Sequence, residues 1–239
     1  MPAVSSRNET VMRPGDPIGF SCRLCGRCCR EVKLLLTPYD VWTLARRLGI
    51  GTGSFLAEFA VLALIPDYGR RIRVYLEPLL KGPCPFLDGT LCGVYDARPT
   101  SCRLYPLGLY VGAWDDGDMR FTHWGLTRRT VRDCPGLDRE ATTTTVRAYL
   151  EQQSARLHLA LATDYGAHLN DLYFHCDVPD EDGASLELVR SLFDLDRYDG
   201  ADPGDTTPAD LLKEADPAFL ARYGRAKARS VQVFGRNRP

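Results

Sequence analysis

The stretch SCRLCGRCCREV, residues 21–32, sets Cys22, Cys25, Cys28 and Cys29 in the order C-x2-C-x2-C-C. Four thiols in eight positions constrain the chain more than any other feature. A lone cysteine is commonly a small buried hydrophobe. Four crowded ones have no packing reason to be together, and ligation of a metal or cluster is the chemistry that gathers them. Five more cysteines follow, at positions 84, 92, 102, 134 and 176, for a total of nine. An odd total fits a complete disulfide framework poorly.

Cys84, Cys92, Cys102 and Cys134 sit beside glycine, proline or arginine, in sequence suited to turns that wrap an ion. Cys176 ends an aromatic-rich helical stretch and reads as packing. The candidate ligands are therefore Cys22, Cys25, Cys28, Cys29, Cys84, Cys92, Cys102 and Cys134. Eight thiolates suit two four-ligand centres, and both closed zinc sites and cubic iron–sulfur clusters take four. Adjacent side chains diverge in extended chain and sit about 100° apart in a helix. Cys28 and Cys29 are thus expected to face different centres, with a single multinuclear cluster as the alternative.

Neither standard ligand pattern fits throughout. C-x2-C-x2-C opens the bacterial ferredoxin run, but the fourth cysteine here follows at once and without proline. Zinc ribbons use two separated C-x2-C pairs, and Cys84-x7-Cys92-x9-Cys102 contains none. Arg23, Arg27, Arg30, Arg98, Arg103 and Arg132 flank the candidate ligands and read as partners that neutralise buried thiolates.

The rest of the sequence points to an α+β fold. LTPYDVWTLARRLGI reads as a helix: Thr37 caps it, Pro38 suits its first position, Asp40 lies in its first turn and Gly49 ends it. A second helix is expected from Ser54, with Phe55, Phe59 and Leu62 on one face. Ile72, Val74 and Leu76 alternate as in a strand, and residues 108–124 read as a hairpin. Helical periodicity follows from Asp138. Later, TPADLLKEAD repeats the cap signature at Thr207 and Pro208. The expected organisation is a flexible arm (1–19), a metal-organised domain (20–137), a helical region packing on it (138–178) and a polar, partly helical tail (179–239).

That tail is segregated by charge. Residues 177–216 hold thirteen acids against three bases, and residues 221–239 hold six bases and no acid. The reading is two solvated faces that attract each other, since no aromatic platform for nucleic acid accompanies the charge. The formal net charge of the whole chain is −1, which gives no field toward nucleic acid or anionic membrane. The N-terminal residues lack the apolar core of a secretory signal. FLAEFAVLALIP carries Glu58, ends at Pro66 and is too short to span a bilayer. A cytoplasmic location is expected.

Four segments, CRLCGRCC, CPFLDG, CGVYDARPTSCRLYP and CPGL, together resemble the YkgJ-type cysteine-cluster family, a zinc- or iron-chelating domain. Gly26, Tyr95, Arg98, Pro99, Arg103, Tyr105 and Pro106 accompany the thiols in that pattern. The resemblance covers about residues 20–137. One branch of the family is similar to the flagellin lysine N-methylases, which implies methyl transfer from S-adenosylmethionine. Within the sequence, the glycines of LGIGTGSF follow a helix rather than the strand a nucleotide-binding turn needs. Cys25-x3-Cys29 would need a third thiol at Val32 to give the radical S-adenosylmethionine spacing. The histidines His123, His158, His168 and His175 follow no pattern with a cysteine nucleophile. His175 beside Cys176 reads as a hydrogen-bonded core residue.

The expectation is a metal-binding protein carrying iron–sulfur in one or two centres. It would act in redox or group-transfer modification of a protein or peptide. The alternatives are a zinc-stapled interaction module and a metal-delivery protein. No catalytic or cofactor-binding residue is assigned.

Overall fold

The computed structural model describes residues 11–31, 34–66, 74–113, 122–128, 134–137, 143–175, 182–200 and 214–234. In chain order the first elements are β1 (Val11–Met12), β2 (Pro17–Gly19), α1 (Arg27–Glu31), α2 (Pro38–Leu48) and α3 (Thr52–Phe59). The strands β3 (Ala60–Pro66), β4 (Val74–Leu80), β5 (Leu87–Asp88) and β6 (Leu91–Cys92) follow. Then come α4 (Thr100–Leu104), β7 (Leu107–Ala113), β8 (Thr122–Arg128) and β9 (Thr143–Thr145). The chain closes with α5 (Val146–Gln152), α6 (Arg156–His175), α7 (Asp182–Phe193) and α8 (Pro217–Phe234). Short 3-10 turns cover Tyr95–Ala97, Pro135–Leu137 and Leu195–Tyr198. The fold is α+β, and every described strand pairing is antiparallel: β1-β8-β7, β2-β9, β3-β4 and β5-β6.

Helix α2 forms as its sequence dictates. Thr37 Oγ1 accepts from the Asp40 N–H at 3.2 Å, and the Asp40 carboxylate accepts from the Thr37 N–H at 2.9 Å, a reciprocal capping box. Gly49 stops it in the left-handed region, at φ 69°. Its apolar face, with Val41, Trp42 and Leu44, is the hub of the larger core. Phe55 of α3, Leu172 of α6, Leu192 and Phe193 of α7, and Phe219 of α8 complete that core. Trp42 Nε1 donates to Asp216 at 3.1 Å, so even the polar atom of the hub is satisfied.

A smaller core lies under the first strands. Ile18, Leu104, Leu107, Val146, Tyr149 and Leu150 pack together, with Phe20 against them. This corrects the expected N-terminal arm. Within 1–19, residues 11–19 are held by main-chain pairing of β1 to β8 and of β2 to β9, and Ile18 is buried. Polar sequence concealed this, because strand pairing over two or three residues needs no apolar period.

Other expectations need similar adjustment. Helix α3 begins at Thr52 rather than Ser54, and Leu62 lies on β3, beyond its end. The strand and hairpin readings match β4 and the β7–β8 pair, although Ile72 and the hairpin turn lie outside the described residues. The helical run from Asp138 is preceded by β9 and divided between α5 and α6. Cys176, Thr207 and Pro208 lie outside the described residues. The tail is more deeply integrated than its polarity suggested, since Phe219, Tyr223 and Ala226 of α8 are buried in the main core. Arg222 pairs with Asp196 at 3.2 Å and also with Asp199, so opposite charges of the tail do meet. Among the described residues, no helix is long and apolar enough to cross a membrane.

The α6–α8 contact carries a pH-sensitive group. His168 Nε2 lies 2.8 Å from Ser230 Oγ, and burial, reinforced by the charge of Lys227, lowers its pKa to about 4. Between pH 6.5 and 4 the unfolded chain binds a proton that the folded chain refuses. Folding stability should therefore fall on acidification through that window, by at most about 3 kcal/mol. Urea titrations at pH 7.5 and 4.5 measure the loss, and His168→Gln should flatten the slope.

Candidate metal centre

Cys28 and Cys29 fall in α1, a helix of five residues. Gly26 precedes it at φ 68°, a conformation open to glycine. The Arg30 side chain folds back and donates to the Cys25 carbonyl at 3.4 Å and to the Gly89 carbonyl at 2.7 Å. One side chain thus ties the first cysteine segment to the β5–β6 hairpin. A main-chain bond from Cys84 N–H to the Cys29 carbonyl, at 3.0 Å, fastens the same two segments.

The β5–β6 hairpin is anchored to the core through Phe86. Its ring lies 5.2 Å from Phe59 and 6.4 Å from Phe55. Cys84, Cys92 and Cys102 pack at the margin of that core. Cys102 is carried on α4, with its N–H bonded to the Pro99 carbonyl at 2.9 Å.

Five thiols come together as electrostatic neighbours. Cys29 feels Cys28, Cys102 and Cys84; Cys84 feels Cys92 and Cys28; and Cys102 feels Cys84, Cys28 and Cys92. Cys28 and Cys29 are also hydrogen-bonded to each other through their side chains. The two thiols therefore sit side by side within this group.

The hydrogen bond from Cys29 lowers the Cys28 thiol to about 7. The same bond raises Cys29, aided by burial and by the charge of its neighbours. Burial, with neighbouring thiols, also pushes Cys84 and Cys102 up. Burial disfavours the charged thiolate, and a bound cation would offset that cost by replacing the protons. Among the described residues, no three Cys, His, Asp or Glu side chains form a group placed to hold a metal ion. The donors are the right chemical type for a soft or borderline metal. Binding would draw them from proximity into ligation.

Of the other three candidate thiols, Cys25 and Cys134 are half-buried. Cys22 is exposed and is an electrostatic neighbour of Tyr149. Cys134 precedes the Pro135–Leu137 turn, which is held against the first cysteine segment by a bond from the Ser21 N–H to the Gly136 carbonyl at 2.9 Å. Gly136 has no room for a side chain: a Cβ there would meet the Ser21 carbonyl oxygen and Phe20 Cε2, each at 2.6 Å. Gly136→Ala should cost about 1–3 kcal/mol from overpacking. The drop in thermal midpoint at unchanged pH measures it.

Two of the flanking arginines, Arg98 and Arg103, are engaged with protein oxygens. Arg103 Nε donates to the Arg98 carbonyl at 3.1 Å and Nη1 to the Gln153 carbonyl at 3.2 Å, while Nη2 donates to the Asp96 carbonyl. Arg98 Nη2 donates to Gln153 Oε1 at 2.7 Å, and its guanidinium lies 4.0 Å over the Tyr95 ring. Both are nearly buried and brace the loop that leads to Cys102. Arg132 lies outside the described residues.

A further group behind Cys102 gave no sequence signal. Asp40 is fully buried, and its Oδ1 accepts from both the N–H and the hydroxyl of Thr100 at 2.7 Å. His158 Nδ1 lies 3.7 Å from the same oxygen and 3.4 Å from Thr100 Oγ1. The carboxylate thus joins the start of α2 to the start of α4. Asp40 could be read from the sequence as a cap, but a bond spanning sixty residues could not.

Residues 21–124 match the family model CxxCxxCC, described as "Putative zinc- or iron-chelating domain". That stretch, less than half of the chain, is similar to the CxxCxxCC domain. No curated protein and no solved structure matches the chain. The matched range holds seven of the eight candidate ligands and ends before Cys134. Metal binding is the property the family description gives to the CxxCxxCC domain, and the five gathered thiols all lie inside the matched range.

Proposed function

We propose that Cys28, Cys29, Cys84, Cys92 and Cys102 hold one iron–sulfur centre. The protein would use it in redox or group-transfer modification of a protein or peptide. One observation carries the reading: five thiols form a single electrostatic group, and a closed zinc site uses four. A multinuclear cluster accommodates adjacent donors such as Cys28 and Cys29 more readily than one small ion does. When bound, the cluster supplies electron transfer or an open iron position.

The chain's own contribution is to hold Cys84, Cys92 and Cys102 against the margin of the apolar core. Low polarity around a centre tunes its potential. A zinc staple is the second reading, favoured by the placement of Cys84, Cys92 and Cys102 directly against the main core. Such a site would fix loops and do no redox chemistry.

Iron, zinc and acid-labile sulfide counted per chain on anaerobically purified protein separate the two. Iron with matching sulfide and a visible chromophore supports the cluster. One zinc per chain, without colour or sulfide, replaces it with the structural reading.

A further inference from the structure

A cavity of about 370 Å³ is lined by Arg103, Glu151, Ser154, Arg156, Leu157, His158 and Glu214. Its size is at the low end for a small-molecule site. Two of its polar lining residues are more than nine-tenths buried: Arg103 at 8% exposure and His158 at 7%. Buried charged or polar side chains at a cavity wall are expensive unless they meet partners there.

His158 is held from behind. Its Nδ1 faces Thr100 and Asp40, and the Tyr39 ring packs edge-on at 5.0 Å. Its polar contacts among the described residues run through Nδ1, and the ring lines the cavity. Arg103 spends three N–H groups on carbonyls, and its guanidinium has five. Among the described residues two donors therefore remain. The buried wall thus offers hydrogen-bond donors suited to a carboxylate.

The exposed rim is different. Glu151 and Glu214 bring negative charge and Arg156 positive charge. With Arg103, the formal charges of the four ionic lining residues cancel. A dianion such as phosphate gains little net attraction from such a lining. A ligand with both signs gains from each, its carboxylate on Arg103 and His158 and its ammonium on the glutamates.

The geometry points to this cavity as a binding site for a free amino acid, with Asp40 positioning His158. The inference stands apart from the metal reading. Calorimetric titration of the full, metal-loaded chain with each of the twenty amino acids tests it. Acetate and methylammonium serve as single-charge probes. At least one amino acid should give a saturating isotherm, at least about tenfold tighter than either probe. Glu151→Gln with Glu214→Gln, both on the exposed rim, should weaken it by about tenfold or more while the metal count stays unchanged. His158→Gln should weaken it as well; if that variant does not fold, the rim variants still decide. The inference is overturned if no amino acid saturates by tens of millimolar, if acetate binds as tightly, or if the rim variants leave affinity unchanged.

Discussion

Cys28→Ser and Cys29→Ser should each remove the same metal, and either change should take most of it. The two thiols are hydrogen-bonded to each other, and each is an electrostatic neighbour of Cys84 and Cys102. Two separate centres would instead lose one complement with each substitution. Cys102→Ser should behave like the pair, whereas Cys22→Ser, at an exposed thiol, should retain the metal. Binding to thiolate sites is worth on the order of 10–16 kcal/mol for a structural zinc. Loss of metal should therefore lower the thermal midpoint by tens of degrees, read by calorimetry beside elemental analysis of each variant. Equal metal content in Cys28→Ser and the unaltered chain would remove Cys28 from the site.

Asp40→Ala should be the most damaging single change away from the cysteines. It leaves the Thr37 and Thr100 N–H groups without their acceptor and His158 without its buried carboxylate. Breaking a buried charged network of this kind costs about 3–5 kcal/mol. Chemical denaturation of the variant reads that loss directly. Asp40→Asn keeps one acceptor oxygen and should fall between the two.

Acid should reach Asp40 after His168. Burial opposes its ionisation, but the hydrogen bond and charge of His158, with the N–H groups of Thr37 and Thr100, hold its pKa below the usual carboxylate value. Its stabilisation is present above the unfolded carboxylate pKa of about 3.9 and is lost as pH falls through the folded value. A stability profile of the unaltered protein should therefore fall first between pH 6.5 and 4, through His168, and again below about 4.

The sequence carried local chemistry well. Thr37, Pro38, Asp40 and Gly49 specified α2 because caps and helix stops act within a few residues. The cysteine group was legible because ligand type and crowding are compositional. What sequence spacing could not show was direction. Side-chain periodicity argued that Cys28 and Cys29 diverge, whereas the pair sits side by side on a five-residue helix.

Arg98 and Arg103 were legible as important, but their hydrogen-bond partners were not. Their guanidinium groups reach carbonyls near and far, at Asp96, Arg98 and Gln153, and such long-range bonds leave no trace in linear order. The short strands β1 and β2 escaped for the same reason, since their partners lie more than a hundred residues away.

The most direct measurement is X-ray absorption at the metal edge of anaerobically purified protein, comparing the unaltered chain with Cys102→Ser. An all-sulfur first shell near 2.3 Å, about the length of a zinc–thiolate bond, is expected in the unaltered protein, with metal lost from the variant. A first shell dominated by nitrogen or oxygen, or an unchanged sulfur shell and metal content in Cys102→Ser, would contradict ligation by the gathered thiols.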